Sequence, residues 1–360
     1  MSEFFQPSTA AELAEAVCAA PRVLAVGGGT KPRLSAVPGA ARISTTRLTG
    51  ILEYDPCEFT FTAQAGTSLR EIASTLLAQG QYLPFDPPFV AAGATIGGTV
   101  GAGLSGAGRF RFGGLRDFIL GIRFVDGEGR LLRMGGKVVK NAAGFDLAKF
   151  FVGSLGRFGI LAEVTFKVFP RPAALLTLEL PVSGLDALLR LLAEAGSGRW
   201  ELDALEASLD RHVVYARLGG SAAAVEALAE DILGHWPGRR LAAGDADLLW
   251  QSAREFGWAS AGQAVMKIPL APSQIPRLAR ILGALPDSAH RIGAGGNVAY
   301  LAVSPAWATE ADRQLRAEGF TALSLRGEVP LWLGASRPAA IYRAVKQALD
   351  PRERFPALEN

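Results

Sequence analysis

Between Pro87 and Gly108 the chain has no charged side chain and carries seven glycines, grouped in Gly93-Ala94-Thr95-Ile96-Gly97-Gly98 and Gly101-Ala102-Gly103-Leu104-Ser105-Gly106. The run is entered through Pro84-Phe85-Asp86-Pro87-Pro88. Flexible linkers are polar and Ser/Gly-rich, whereas this segment holds Val90, Ile96, Val100 and Leu104, which must be buried. Its prolines and glycines work against a stable membrane-spanning helix despite the missing charges. What remains is backbone, with N–H groups and little side-chain bulk. That suits close approach to a large, anionic, partly apolar ligand, a dinucleotide such as FAD.

A second glycine cluster, Gly27-Gly28-Gly29-Thr30-Lys31, follows the strand expected at Arg22–Val26. A tight turn there aims successive N–H groups at a phosphate, and Thr30 and Lys31 add a hydroxyl and a positive charge. The glycine spacing and Pro32 exclude the Rossmann fingerprint, and no P-loop is present. Taken alone, the cluster reads equally as a glycine turn between strands. Together, the two clusters fit opposite sides of one pyrophosphate.

The other totals exclude more than they assign. The 360 residues and 49% hydrophobic content describe a folded chain of about two domains. Net charge is +3 without a basic run, so no nucleic-acid partner is expected. Cys18 and Cys57 lack the spacing for an iron–sulfur or zinc site and read as small buried residues of a reducing cytosol. No leader peptide is expected, and the location read is cytoplasmic, with membrane contact only through partners.

Thr9 with Glu12 and Ser68 with Glu71 read as capping boxes opening helices. Glu58–Ala63 and Ile160–Phe169 alternate as strands, Asp126-Gly127 reads as a hairpin turn between Gly121–Val125 and Arg130–Met134, and Asp146–Phe151 reads as helical. Pro170-Arg171-Pro172 is the linker candidate. Beyond it, helices near 184–195, 222–233, 245–254, 274–284, 306–317 and 338–349 alternate with strand candidates. The pattern is α+β, an antiparallel sheet with helices on one face.

Arg109, Arg111 and Arg116 are candidate anion ligands, but each taken singly reads as structural, Arg116 as an ion pair with Asp117. His212, His235 and His290 are far apart, without metal-ligand spacing, and also read as structural. No catalytic residue and no metal site is assigned.

The motifs Phe85-Asp86-Pro87-Pro88, Gly93–Gly98, Gly103-Leu104-Ser105-Gly106 and Arg116-Asp117-Phe118-Ile119-Leu120-Gly121 resemble the flavin-binding domain of the vanillyl-alcohol-oxidase/PCMH superfamily. Gly50–Pro56, Lys140-Asn141-Ala142-Ala143-Gly144-Phe145-Asp146-Leu147 and Gly153-Ser154-Leu155-Gly156 are similar to the glycolate oxidase FAD-binding subunits (GlcE type) within it. The resemblance is dense over 20–172 and thin beyond.

It implies a PCMH-type FAD-binding domain over 1–172, with subdomains of about 1–50 and 51–172. An α+β cap or partner domain over 173–330 and a C-terminal helix and tail over 331–360 would follow. The implied cofactor contacts are Gly27, Gly28, Gly29, Thr30 and Lys31; Pro87, Gly93, Ala94 and Thr95; Gly97, Gly98, Gly101, Gly103 and Leu104; and Gly159, Ile160 and Val164. FAD would be non-covalent, because no His or Cys stands where attachment is expected. Such subunits work beside a homologous catalytic flavin subunit and an iron–sulfur subunit, oxidising glycolate to glyoxylate. The superfamily's C-terminal DP…NPG pattern is only half kept, at Asp350-Pro351. An assembly or electron-relay role and a self-sufficient oxidase of another small 2-hydroxy acid or alcohol are the alternatives.

Overall fold

The computed structural model describes residues 4–136, 146–336 and 340–358. These form two compact units, one made of residues 4–105, 114–136, 146–170 and 340–358, the other of 106–113 and 171–336. The motif at 140–145 lies outside the described residues.

In the first unit a three-stranded parallel sheet orders Phe4–Phe5, Ala41–Ser44 and Val23–Val26. Parallel strands need crossover connections, and the helix Ala10–Ala19 carries the chain from Phe4–Phe5 at one edge to Val23–Val26 at the other. Thr9 Oγ1 accepts the Glu12 N–H at 3.1 Å, as the capping pattern predicts. The reciprocal bond differs, because the Glu12 carboxylate reaches to the Ser8 N–H (2.8 Å) and Oγ (2.9 Å). Leu13, Ala16 and Val17 pack on Val23 and Ile43, each large side chain contributing about 1.5–3 kcal/mol by leaving water.

The second sheet of this unit is antiparallel, in the order Ile51–Asp55, Thr60–Gln64, Ile160–Lys167, Ile119–Val125, Leu131–Gly135. Ser68 Oγ caps the helix Leu69–Leu77 through the Glu71 N–H at 3.1 Å. The hairpin forms where Asp126-Gly127 predicts it, with a longer turn than two residues. The buried Asp126 carboxylate accepts the N–H groups of Glu128 and Arg130, both at 2.9 Å, and organises 126–130 as one loop.

After the helix Ala340–Leu349 the tail is tied into this unit. Asp350, 1% exposed, accepts the N–H groups of Arg354 (2.9 Å) and Phe355 (2.8 Å) and bonds Lys346. The Val23 N–H donates to the Arg354 carbonyl at 2.8 Å, and Phe355 joins the Leu13–Ile43 core. Asp350→Ala strips three donors of their acceptor and is expected to destabilise the chain by about 2–4 kcal/mol. Urea unfolding checks this, and an unchanged midpoint would contradict it.

Among the described residues, the second unit is built on a nine-stranded antiparallel sheet. Helices Leu185–Gly196, Ala222–His235, Ile275–Gly283 and Ala308–Ala317 bury Leu188, Leu191, Ile232, Ile281 and Leu315 against Leu205, Met266, Ile292 and Leu301. The strands Ala289–Gly293 and Trp332–Gly334 were not expected. Each is short, and His290 and Arg291 break the apolar alternation in the first.

Candidate functional site

A cleft in the first unit is lined where the strand Val23–Val26 runs out into Gly27–Lys31. The second glycine segment presses directly on this turn. A Cβ on Gly27 would overlap Thr95 Oγ1, and one on Gly28 would overlap the Gly93 carbonyl. At Gly27 and Gly28 a side chain is thus excluded by the second segment, whereas in that segment Gly97 is pressed on Ala65 and Gly103 on Gly153. Gly29 differs, with φ +69° and open space where a side chain would stand.

The backbone N–H groups of Gly28, Gly29 and Thr30 make no hydrogen bond among the described residues. They are three consecutive donors at the mouth of a strand, the arrangement that cradles an anion. The expectation that 93–98 offers bare N–H groups is corrected here. That segment is the N-cap and first turn of a short helix, Ile96–Ala102. Its N–H groups are consumed internally: Ile96 donates to Thr67 O (3.0 Å), Gly97 to Ala65 O (2.8 Å) and Gly98 to Thr95 Oγ1 (3.2 Å).

Lys31 is the charge of the site. It is 8% exposed, its Nζ lies 2.8 Å from Thr30 Oγ1 and 5.3 Å from the centre of the Phe89 ring. Burial pulls its pKa down from the ordinary lysine value to about 8. No carboxylate compensates it among the described residues. A buried cation beside three open N–H donors is complementary to a phosphate.

Of the expected cofactor contacts, Gly27, Gly28, Gly29, Thr30 and Lys31 line the cleft, together with Thr95, Gly97, Gly98, Gly101, Gly159 and Ile160. Pro87, Gly93, Ala94, Gly103, Leu104 and Val164 do not. Pro87 is buried in a segment that the fully buried Phe85 pins 5.5 Å from Phe118. Gly93 and Ala94 support the turn from behind, Gly103 ends the short helix, and Leu104 and Val164 are core. The far wall is Ser154-Leu155-Gly156, part of the Gly153–Gly156 motif but outside the expected contacts. The Leu155 N–H donates to Gly101 O at 2.8 Å, which fixes that loop on the short helix.

The other candidates fall elsewhere. Arg111 pairs with Asp203 (2.8 Å) and Glu201 (3.1 Å) inside the second unit. The expected Arg116–Asp117 pair is not made, since Asp117 accepts the Gly114 N–H at 2.8 Å. His290 Nε2 accepts the Leu209 N–H at 3.0 Å, and His235 contacts the Asp231 carbonyl at 2.7 Å, both structural uses. Cys18 and Cys57 are exposed, not buried as expected, because one sits on the outer face of the first helix and the other in a hairpin turn. Among the described residues no cluster of His, Cys, Asp and Glu suits a metal ion.

Residues 2–135 match the family described as the FAD binding domain. The chain is 40% identical over 209 residues to the glycolate oxidase subunit GlcE of Escherichia coli K12, covering 57% of this chain and 56% of that one. It is 30% identical over 236 residues to a D-2-hydroxyglutarate dehydrogenase of Xanthomonas citri pv. viticola (63% and 48%). It is 31% identical over 167 residues to the glycolate oxidase subunit GlcD of Bacillus subtilis 168 (46% and 34%). The chain thus spans between a third and just over half of each relative's length.

A solved alkyldihydroxyacetonephosphate synthase shares the fold, with a TM-score of 0.70 at 16% identity over 98% of this chain and 76% of that one. The stretch that matches the FAD binding domain family, residues 2–135, contains the Gly27–Lys31 turn and the Gly93–Gly98 segment that meet at the cleft. The chain is related to the FAD-linked oxidoreductases of the PCMH type, and FAD is its cofactor.

Proposed function

We propose that this chain is the FAD-binding subunit of a complex that oxidises a small 2-hydroxy acid, glycolate to glyoxylate, and hands the electrons to an iron–sulfur partner. The observation that carries the cofactor half is the Gly28–Thr30 turn with its open N–H groups and the buried Lys31. The relatives named as glycolate oxidase subunits and 2-hydroxy-acid dehydrogenases support the substrate half.

In this reading the FAD diphosphate lies on Gly27–Lys31, with Gly97, Gly98 and Gly101 as the close-packed floor and Gly159-Ile160 along the adenosine side. FAD, when bound, supplies the two-electron acceptor. The chain's residues orient it, exclude water and hold its charge. Non-covalent attachment, a cap role for the second unit and a cytoplasmic placement at the membrane through partners belong to the same proposal. Among the described residues no helix is long and apolar enough to cross a membrane.

The test is anaerobic addition of glycolate to the purified chain, alone and with the chains that co-purify with it from its native cell. The expected result is a yellow preparation whose flavin is released by acid and is bleached by glycolate in the complex. A complex whose flavin stays oxidised with glycolate would overturn the substrate assignment, and a colourless chain would overturn the cofactor assignment.

A further inference from the structure

Phe89 stands where a phenylalanine is out of place. Its backbone is left-handed, with φ +63°, a conformation that glycine adopts without strain and a side chain with a Cβ does not. The loop around it holds that geometry. The Ala94 N–H donates to the Phe89 carbonyl at 2.9 Å, and Gly93 closes the other end at φ +87°. Two bonds tie the loop to the helix Leu69–Leu77: the Leu69 N–H donates to Ala94 O and the Arg70 guanidinium to Ala91 O, both at 2.8 Å. Strained residues held in this way by their surroundings gather at ligand sites.

What the strained position delivers is a ring over Lys31. The ring centre is 5.3 Å from Lys31 Nζ, while Lys31 itself lines the cleft. The ammonium thus lies between an aromatic face and the cleft, with Thr30 Oγ1 at 2.8 Å as a hydrogen-bond partner. A carboxylate in place of the ring would neutralise the lysine. An aromatic face attracts the cation through its quadrupole and leaves the full charge for an anion on the other side. The same loop reaches the donor turn a second time, because the Gly93 carbonyl packs where a Gly28 side chain would stand.

We infer that Phe89 is a positioning residue for the cofactor: its ring holds the Lys31 ammonium toward the FAD diphosphate and so slows the release of FAD. The inference rests on the reading that the diphosphate lies on Gly27–Lys31. It makes a distinction that contact alone does not, since Phe89 acts on FAD through Lys31 and not through the shape of its loop.

The experiment is a double-mutant cycle on the FAD-loaded full-length chain at pH 7, with FAD release followed by flavin fluorescence after dilution. Phe89→Leu keeps a side chain of similar bulk on the same left-handed backbone and removes only the aromatic face. It is expected to release FAD about 3–10-fold faster than the wild-type chain, the range of one cation–π contact. Phe89→Tyr, which keeps the ring, is expected to restore the slow rate. In a Lys31→Met chain, which itself releases FAD faster, adding Phe89→Leu is expected to change the rate less than about twofold, because the partner of the ring is gone. Should Phe89→Leu fail to fold, Phe89→Met supplies the same non-aromatic test. A wild-type release rate in the folded non-aromatic variant would overturn the inference. So would an equal acceleration with and without Lys31, which would make Phe89 a packing residue of its loop. A Lys31→Met chain that releases FAD at the wild-type rate would overturn the diphosphate reading, and this inference with it.

Discussion

A Gly28→Ala chain is expected to purify without FAD. The added methyl would overlap the Gly93 carbonyl, which is backbone and cannot swing aside. Relief requires the Gly27–Lys31 turn to part from the Gly93–Gly98 segment, and that contact shapes the cleft. Overpacking of this kind costs about 1–3 kcal/mol in stability. The loss of cofactor is expected to exceed it, because the three open N–H donors move with the turn.

Gly29→Ala is the informative companion. Its methyl meets nothing within 4 Å, so its structural cost is the left-handed backbone alone, about 1–2 kcal/mol. The chain should fold, and its weakened FAD binding would come from the methyl standing in the cleft. Flavin absorbance per protein and thermal unfolding of both variants are the measurements. Full flavin content in Gly28→Ala would contradict the account.

Lys31→Met is expected to weaken FAD binding about 10–100-fold near neutral pH, the worth of one charge-assisted hydrogen bond to a phosphate. The pH dependence carries more information. Lys31 titrates at about 8 without a ligand, and a bound diphosphate would raise that value. Binding is then strongest with the lysine protonated, so affinity should fall as pH rises through 8 and beyond.

Stability of the FAD-free chain runs the other way. Between about 8 and the ordinary value of 10.5 the unfolded chain binds the extra proton, so stability should rise across that window, by at most ~3 kcal/mol. Lys31→Met removes both slopes. Fluorescence titration with FAD at pH 7 and 9.5, with urea unfolding at the same pH values, checks the pair. An affinity independent of pH in the wild-type chain would contradict the role given to Lys31.

Much of this architecture was legible because local chemistry and fold agree. Thr9 and Ser68 announce their helices, and the texture beyond Pro172 announces an antiparallel sheet with helices. The helix Ala243–Glu255, however, takes the face opposite the others, where Trp250 donates to Thr177 Oγ1 at 2.9 Å. Both glycine clusters could be read as backbone meant for close approach. Their division of labour could not. Which cluster keeps its N–H groups open depends on Ala65, Thr67 and Thr95, whose positions follow only from the packed structure. The buried state of Lys31 was hidden for the same reason, because Phe89 lies over it from a distant loop.

The role of the tail was equally hidden. Asp350 belongs to the half of the C-terminal pattern that is present, and its structural work, accepting the N–H groups of Arg354 and Phe355, could not be read from the pattern.

The central claim is that the Gly27–Lys31 turn holds the FAD diphosphate. Phosphorus NMR of the FAD-loaded chain tests it most directly. The account predicts two diphosphate resonances displaced from those of free FAD, shifting with pH above the ligand-free Lys31 value of about 8 in the wild-type chain and not in Lys31→Met. Resonances that match free FAD, or that are the same in both chains at every pH, would contradict it.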